Sequence, residues 1–174
     1  GVCNVAVGHL SLCLNQTGSA NVAVGYGSLS ASVANFNTAV GYKSGIALTS
    51  GASNTSLGAN ALCINVLGSS NVAVGTLALA SYAGSCNVAV GYAALCTVAT
   101  GNRNTALGAY ALTCLGGANG GNTAVGFNAS YYTNSTGNTS LGSSALFGVT
   151  TGIGNIGLGC NSGCAITTGN YNVI

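Results

Sequence analysis

The stretch Asn21 to Leu29 reads NVAVGYGSL, and Asn87 to Leu95 reads NVAVGYAAL, the same phrase with two letters changed. Aligned on its Asn, the phrase occurs ten times, at Asn4, Asn21, Asn37, Asn54, Asn71, Asn87, Asn104, Asn122, Asn138 and Asn155, and Asn172 opens an eleventh copy. Successive Asn residues lie 16, 17 or 18 positions apart. A fixed short period marks an architecture in which no unit buries its own apolar face and each stacks on its neighbours. Residues 1–174 therefore read as one repeat array, with an unprotected rung at either end and no distinct capping repeat.

Four positions after each Asn stands an unbroken Gly column: Gly8, Gly25, Gly41, Gly58, Gly75, Gly91, Gly108, Gly126, Gly142 and Gly159. The residue before it is always Val or Leu, and two before that stands Val, Thr or Ile. Ala, Ser or Gly lies between them, so large and small residues alternate with the period of a strand. The large residues before the Gly are expected to be the buried anchors. The small ones are expected to meet another backbone closely, either a neighbouring chain or the same coil folding over.

A second unit, Ala or Ser followed by Leu, as in Ser28-Leu29 and Ala94-Leu95, supplies another inward anchor. A Gly three residues before most of the Asn residues, as at Gly18, Gly51 and Gly68, is expected to use positive φ in a turn. Two short strands and two turns would fill such a unit. Dense Gly and β-branched residues with no 3.6-residue period exclude helix. The expected fold is all-β, a parallel β-solenoid or β-roll of about ten rungs of 16–18 residues. At about 4.8 Å per rung it is a rod on the order of 48 Å long. Stacked amides would make the Asn column a ladder along the rod.

Composition narrows what such a rod does. The 174 residues contain no Asp or Glu, one Lys (Lys43), one Arg (Arg103) and one His (His9). Without carboxylates there is no acid, base or metal-binding pair of the usual kind, and His9 occupies a position filled by Tyr in other copies, so no enzyme, metal or cofactor is expected. Two scattered cations do not make a nucleic-acid footprint, and Gly, Asn, Ser and Thr interrupt every apolar run before it could span a membrane as a helix. A chain with so little charge is expected to live within an assembly or under glycan. Its eight cysteines favour an oxidising compartment, and Cys96 with Cys114, at nearly equivalent places on adjacent rungs, is the candidate disulfide.

The phrase Asn-x-Ala-Val-Gly-x-x-Ala, as in Asn87 to Ala94 and Asn122 to Ala129, resembles the head repeats of trimeric autotransporter adhesins. In its longer form it is similar to repeats of phage and giant-virus tail fibres. The resemblance runs from Asn4 to Asn172 and implies parallel β-rolls, commonly three chains side by side, that display or extend a host-binding surface; it carries no catalytic residue. The chain departs from it in lacking charged turns, a stalk and a chaperone segment.

These observations give two expectations. One is a structural subunit of an extracellular fibre, its rods stacking head to tail as a homopolymer. The other is a homotrimeric tail-fibre or adhesin segment that touches a host-surface glycan or receptor, on a virion or cell surface. Aromatic residues just after the Gly column, Tyr26, Tyr42, Tyr92 and Phe127, are candidate glycan contacts, although Ala59, Thr76 and Ala109 interrupt them. Asn15 and Asn134 are the candidate glycosylation sites; of the other sequons, at Asn54, Asn128 and Asn138, the first and last belong to the ladder. An ice-binding face of Thr38, Thr55, Thr105, Thr123 and Thr139 is broken by Val72 and Val88.

Overall fold

The structure, a computed structural model, describes all residues except 82, 98, 99, 115 and 118. Each repeat contributes one three-residue strand directly after its Asn: β1 Val5–Val7, β2 Val22–Val24, β3 Thr38–Val40, β4 Thr55–Leu57, β5 Val72–Val74, β6 Val88–Val90, β7 Thr105–Leu107, β8 Thr123–Val125, β9 Thr139–Leu141 and β10 Ile156–Leu158. They form one parallel ten-stranded sheet in chain order. Its register places Val22 beside Thr38, Ala23 beside Ala39 and Val24 beside Val40, and so on along the array. The fold is a parallel β-solenoid with about 17 residues per turn. The second strand expected in each rung is absent among the described residues; turns complete the coil.

The strand alternation is present, but its phase is the reverse of the one expected. The small residues point inward: Ala23, Ala39, Ala73, Ala89, Ala106 and Ala124 are fully buried. The Val and Leu residues before the Gly face out, and Leu57 and Leu141 are each 47% exposed. The interior is too thin for anything larger on this wall. Facing the Ala column are the small residues and leucines of the second unit, among them Ala61, Leu62, Ala78, Leu79, Ala94 and Leu95, all buried as expected for that anchor. The gap is narrow enough for single side chains to bridge it: the Ser44 hydroxyl donates to Ser56 Oγ at 2.7 Å, and Ser130 bonds Ser140 at 2.9 Å. Ser56 and Ser140 are the two Ser residues in the inward column, and each is matched by a Ser on the opposite wall.

Tight corners make so narrow a coil feasible. The residue before each Asn takes left-handed φ, from Cys3 at 60° through Phe36 at 61° to Tyr171 at 56°, and the inward leucines do likewise, with Leu29 at 48° and Leu95 at 51°. Left-handed backbone costs an L-residue about 1–2 kcal/mol, which burial of a Leu side chain at about 1.5–3 kcal/mol offsets. The Gly column sits further into positive φ, 117° to 137°. A Cβ on Gly91 would also lie 2.6 Å from the carbonyl carbon of Gly108 on the next rung.

The second glycine column corrects another expectation. Gly18, Gly51, Gly68 and Gly152 do not use positive φ; they are small because the next rung is close, with 2.1 Å between a Cβ on Gly51 and the Gly68 carbonyl oxygen. Among the described residues, three buried polar atoms find no hydrogen-bond partner: Ser32 Oγ, Asn65 Nδ2 and Thr133 Oγ1. All three residues stand eleven positions after their Asn, where other rungs place the buried Leu48 and Val149.

Candidate functional site

The Asn ladder runs unbroken through the rod. The Oδ1 of each Asn accepts the backbone N–H of the next, as from Asn87 to Asn71 at 2.9 Å and from Asn138 to Asn122 at 3.0 Å. Side-chain amides continue the chain, with Asn71 Nδ2 donating to Asn54 Oδ1 at 3.1 Å. The same Asn71 Nδ2 donates to the Gly84 carbonyl at 2.9 Å, which ties the strand to the turn of the next rung. Asn21, Asn37, Asn71, Asn87, Asn104, Asn122, Asn138 and Asn155 are fully buried, so the column holds the rod together and offers nothing to a ligand. Its sequons at Asn54 and Asn138 lie inside it.

Of the other sequon residues, Asn15 is half-buried and closes a turn, accepting the Gly18 N–H at 2.7 Å and donating to the Gly18 carbonyl at 3.1 Å. Asn134 is exposed, and its Oδ1 accepts from Asn119 at 2.6 Å.

The eight cysteines are thiols, Cys96 and Cys114 included. Burial pushes the Cys96 thiol up, and the Cys114 thiol, close enough to be felt, pushes it further. Cys63 is also raised, by burial first. Cys114 additionally bonds the Tyr131 phenol, the main reason that phenol is held above its ordinary value.

Among the described residues, most aromatic side chains gather into two groups. His9, Tyr26 and Tyr42 stack face to face on successive rungs, with ring centroids 5.4 and 5.5 Å apart, and Lys43 Nζ lies 5.2 Å from the Tyr42 ring. The second group is larger. Tyr110, one position further from its Gly than the sequence column, fills the gap at Ala109 and joins Tyr92 to Phe127 at 5.3 and 6.1 Å, edge to face. It also approaches Tyr131, which stacks on Phe147 at 5.6 Å, and Tyr132 caps both. Desolvation and then neighbouring Tyr92 hold the Tyr110 phenol up, so both raised phenols remain neutral donors around neutral pH.

Tyr110, Phe127, Asn128, Tyr131, Tyr132 and Phe147 line a groove of about 310 Å³. It continues over Phe147 into a second depression of about 360 Å³, bordered by Asn128, Ser144, Asn161 and Cys164. Of the four aromatic residues singled out from sequence, only Phe127 lines this groove; Tyr92 abuts it through Tyr110, and Tyr26 and Tyr42 belong to the other stack. A larger hollow of about 630 Å³ lies where Gly120 and Gly121 leave space beside Arg103, with Ser85, Cys86 and Asn102 at its border. Its polar wall is partly occupied, because Asn102 Oδ1 already accepts the Ser85 N–H at 2.7 Å.

The outer sheet face is the other surface of note. Two axial columns cover it, one of Val, Thr and Ile and one of Val and Leu, and neither carries a charge in any rung. The Thr residues lie in the first column, interrupted by Val72 and Val88 as the sequence indicates. Among the described residues no helix is long and apolar enough to cross a membrane. Comparison with protein-family models, curated proteins and solved structures finds no match.

Proposed function

We propose that the chain is a structural segment of an extracellular fibre, a β-solenoid rod that associates with copies of itself. The outer sheet face carries this reading. It is in register over ten strands, free of charge, and lined with partly exposed Val, Leu, Ile and Thr. A long apolar stripe of this kind is a self-association surface, and because each rung repeats it, a second copy can match it along its whole length. The packing expected earlier through the small-residue column gives way to packing through the large one, since the small column is the interior. Head-to-tail growth draws on the same regularity: Val173 pairs in parallel with Ile156 on β10 in the register that the other strands use, so each rung templates the one after it.

Sedimentation of the purified chain together with electron microscopy tests the proposal. Filaments or laterally paired rods are expected, and replacing Val74 and Val90 with Lys should disperse lateral contacts while leaving the circular dichroism spectrum unchanged. A monodisperse monomer at high concentration would refute self-association.

The aromatic groove favours a second reading, in which the rod is a finite trimeric adhesin or tail-fibre segment touching a host glycan. A fixed three-chain mass and binding on a glycan array would favour it over the open fibre.

A further inference from the structure

We infer that the groove bounded by Tyr110, Phe127, Tyr131, Tyr132 and Phe147 on one side and Asn128, Ser144 and Asn161 on the other binds a neutral oligosaccharide lying along the rod axis. The inference rests on the second reading above and assigns it a site. Three observations carry it.

The first is chemical complementarity. The apolar wall consists of aromatic rings, whose faces suit the C–H faces of pyranose rings, and Tyr132 stays 47% exposed although it packs against Tyr131 and Phe147. The second is an unused set of polar groups. Asn128, Ser144 and Asn161 hold the same place in three successive rungs, second after the Gly, and their left-handed backbones at 54° to 56° project them side by side. Their backbone N–H groups are all spent on the preceding rung, on Ala109, Phe127 and Ser143. Among the described residues, no side-chain hydrogen bond engages the Asn128 and Asn161 amides or the Ser144 hydroxyl. Two amides and a hydroxyl in a row can donate to and accept from sugar hydroxyls. The third is electrostatic: among the described residues no ionised side chain borders either part of the groove, so nothing there compensates an anionic ligand.

The geometry also sets the orientation. Both walls run parallel to the axis, rung by rung at about 4.8 Å, close to the length of one sugar ring, so an extended chain of rings keeps its contacts while a compact ligand meets only one rung.

The test uses the chain expressed in bacteria, so that the Asn128 sequon carries no glycan, with β-1,4-linked glucose and N-acetylglucosamine tetramers and hexamers as probes alongside an array of neutral and acidic glycans. Saturation-transfer NMR and tyrosine fluorescence report binding. At least one neutral oligosaccharide is expected to bind, with hexamer tighter than tetramer. Tyr132→Ala and Asn161→Ala should each weaken it about tenfold, while Tyr26→Ala and Tyr42→Ala leave it unchanged. Circular dichroism of each variant separates lost binding from lost fold, and Tyr132→Phe, which keeps the ring, should retain most of the affinity. Sugar binding that survives Tyr132→Ala and Asn161→Ala but is lost with Tyr26→Ala and Tyr42→Ala would overturn this site and leave the glycan reading standing. Binding of acidic glycans alone would overturn the neutral class. No binding by any glycan, or protection of the groove by a second copy of the chain, would overturn both.

Discussion

Ala89 and Val90 are neighbours on one strand, yet the first is fully buried and the second faces out. In a wide globular core the larger residue would be the inner one. Here the two walls are separated by little more than one side-chain hydrogen bond, as the Ser44–Ser56 pair shows, and volume is excluded from the inside. Side-chain size therefore reports distance between walls before it reports hydrophobic burial. The apolar surface left over on the outside is what a partner can cover.

The largest expected effect pits the two columns against each other. Ala89→Asp should cost about 4 kcal/mol or more, because it overfills the core and buries an unpaired carboxylate. Val90→Asp should cost the isolated rod less than about 1 kcal/mol while removing self-association. Thermal melts and sedimentation of both variants check this, and equal destabilisation would refute the inside–outside assignment.

The same contrast appears along the axis. Gly91 combines a φ of 131° with a neighbouring rung 2.6 Å from any added Cβ, whereas Gly121, at 70°, would meet nothing within 4 Å. Gly91→Ala should therefore cost about 3 kcal/mol and Gly121→Ala about 1–2, the backbone strain alone. Chemical denaturation reads the difference, and equal losses would show that contact between rungs contributes little.

A third comparison lies within the core. Thr133 and Val149 hold equivalent buried places, but the Thr hydroxyl has no partner. Thr133→Val should stabilise the rod by about 1 kcal/mol, since it removes an unsatisfied donor with little change of volume. A loss of stability would mean that the hydroxyl is bonded.

The smallest effect concerns pH. Without Asp or Glu the melting temperature should be nearly constant from about pH 2 to pH 8, because acid unfolding works through carboxylates. The perturbed groups titrate on the alkaline side: burial holds the Cys63 and Cys96 thiols above their ordinary range, desolvation does the same for the Tyr110 phenol, and the Cys114 hydrogen bond for that of Tyr131. The unfolded chain loses these protons first, so stability is full below the ordinary values and falls as pH rises through the raised ones. Melts under reducing conditions should drop only above about pH 9, and replacing Cys63 and Cys96 with Ser should delay the onset. A steep fall in acid would point to an acidic partner or coat.

The period, the parallel register and the Asn ladder were legible because stacking makes each rung repeat the same contacts, so position in the repeat is position in space. The inward phase was not, since alternation at period two separates two faces without saying which is inside. The cue was present: none of Ala6, Ala23, Ala39, Ser56 or the later members of that column exceeds the size of Ser, as a thin interior requires. The aromatic groove escaped for another reason. Phe127, Tyr110, Tyr131 and Tyr132 occupy different offsets from their Asn residues, and only the path of the turns gathers them.

The ladder has a consequence for how such a chain changes over generations. Its bonds reach one rung and stop, from Asn54 to Asn71 and from Asn71 to Asn87, and almost nothing in the rod refers to its total length. Removing or duplicating one whole unit in the gene would leave every remaining junction with the partners it already has, whereas a cut of a few residues would throw the register of everything beyond it. Rod length is thus a heritable quantity that recombination between near-identical units can adjust in whole steps, without inventing a new contact.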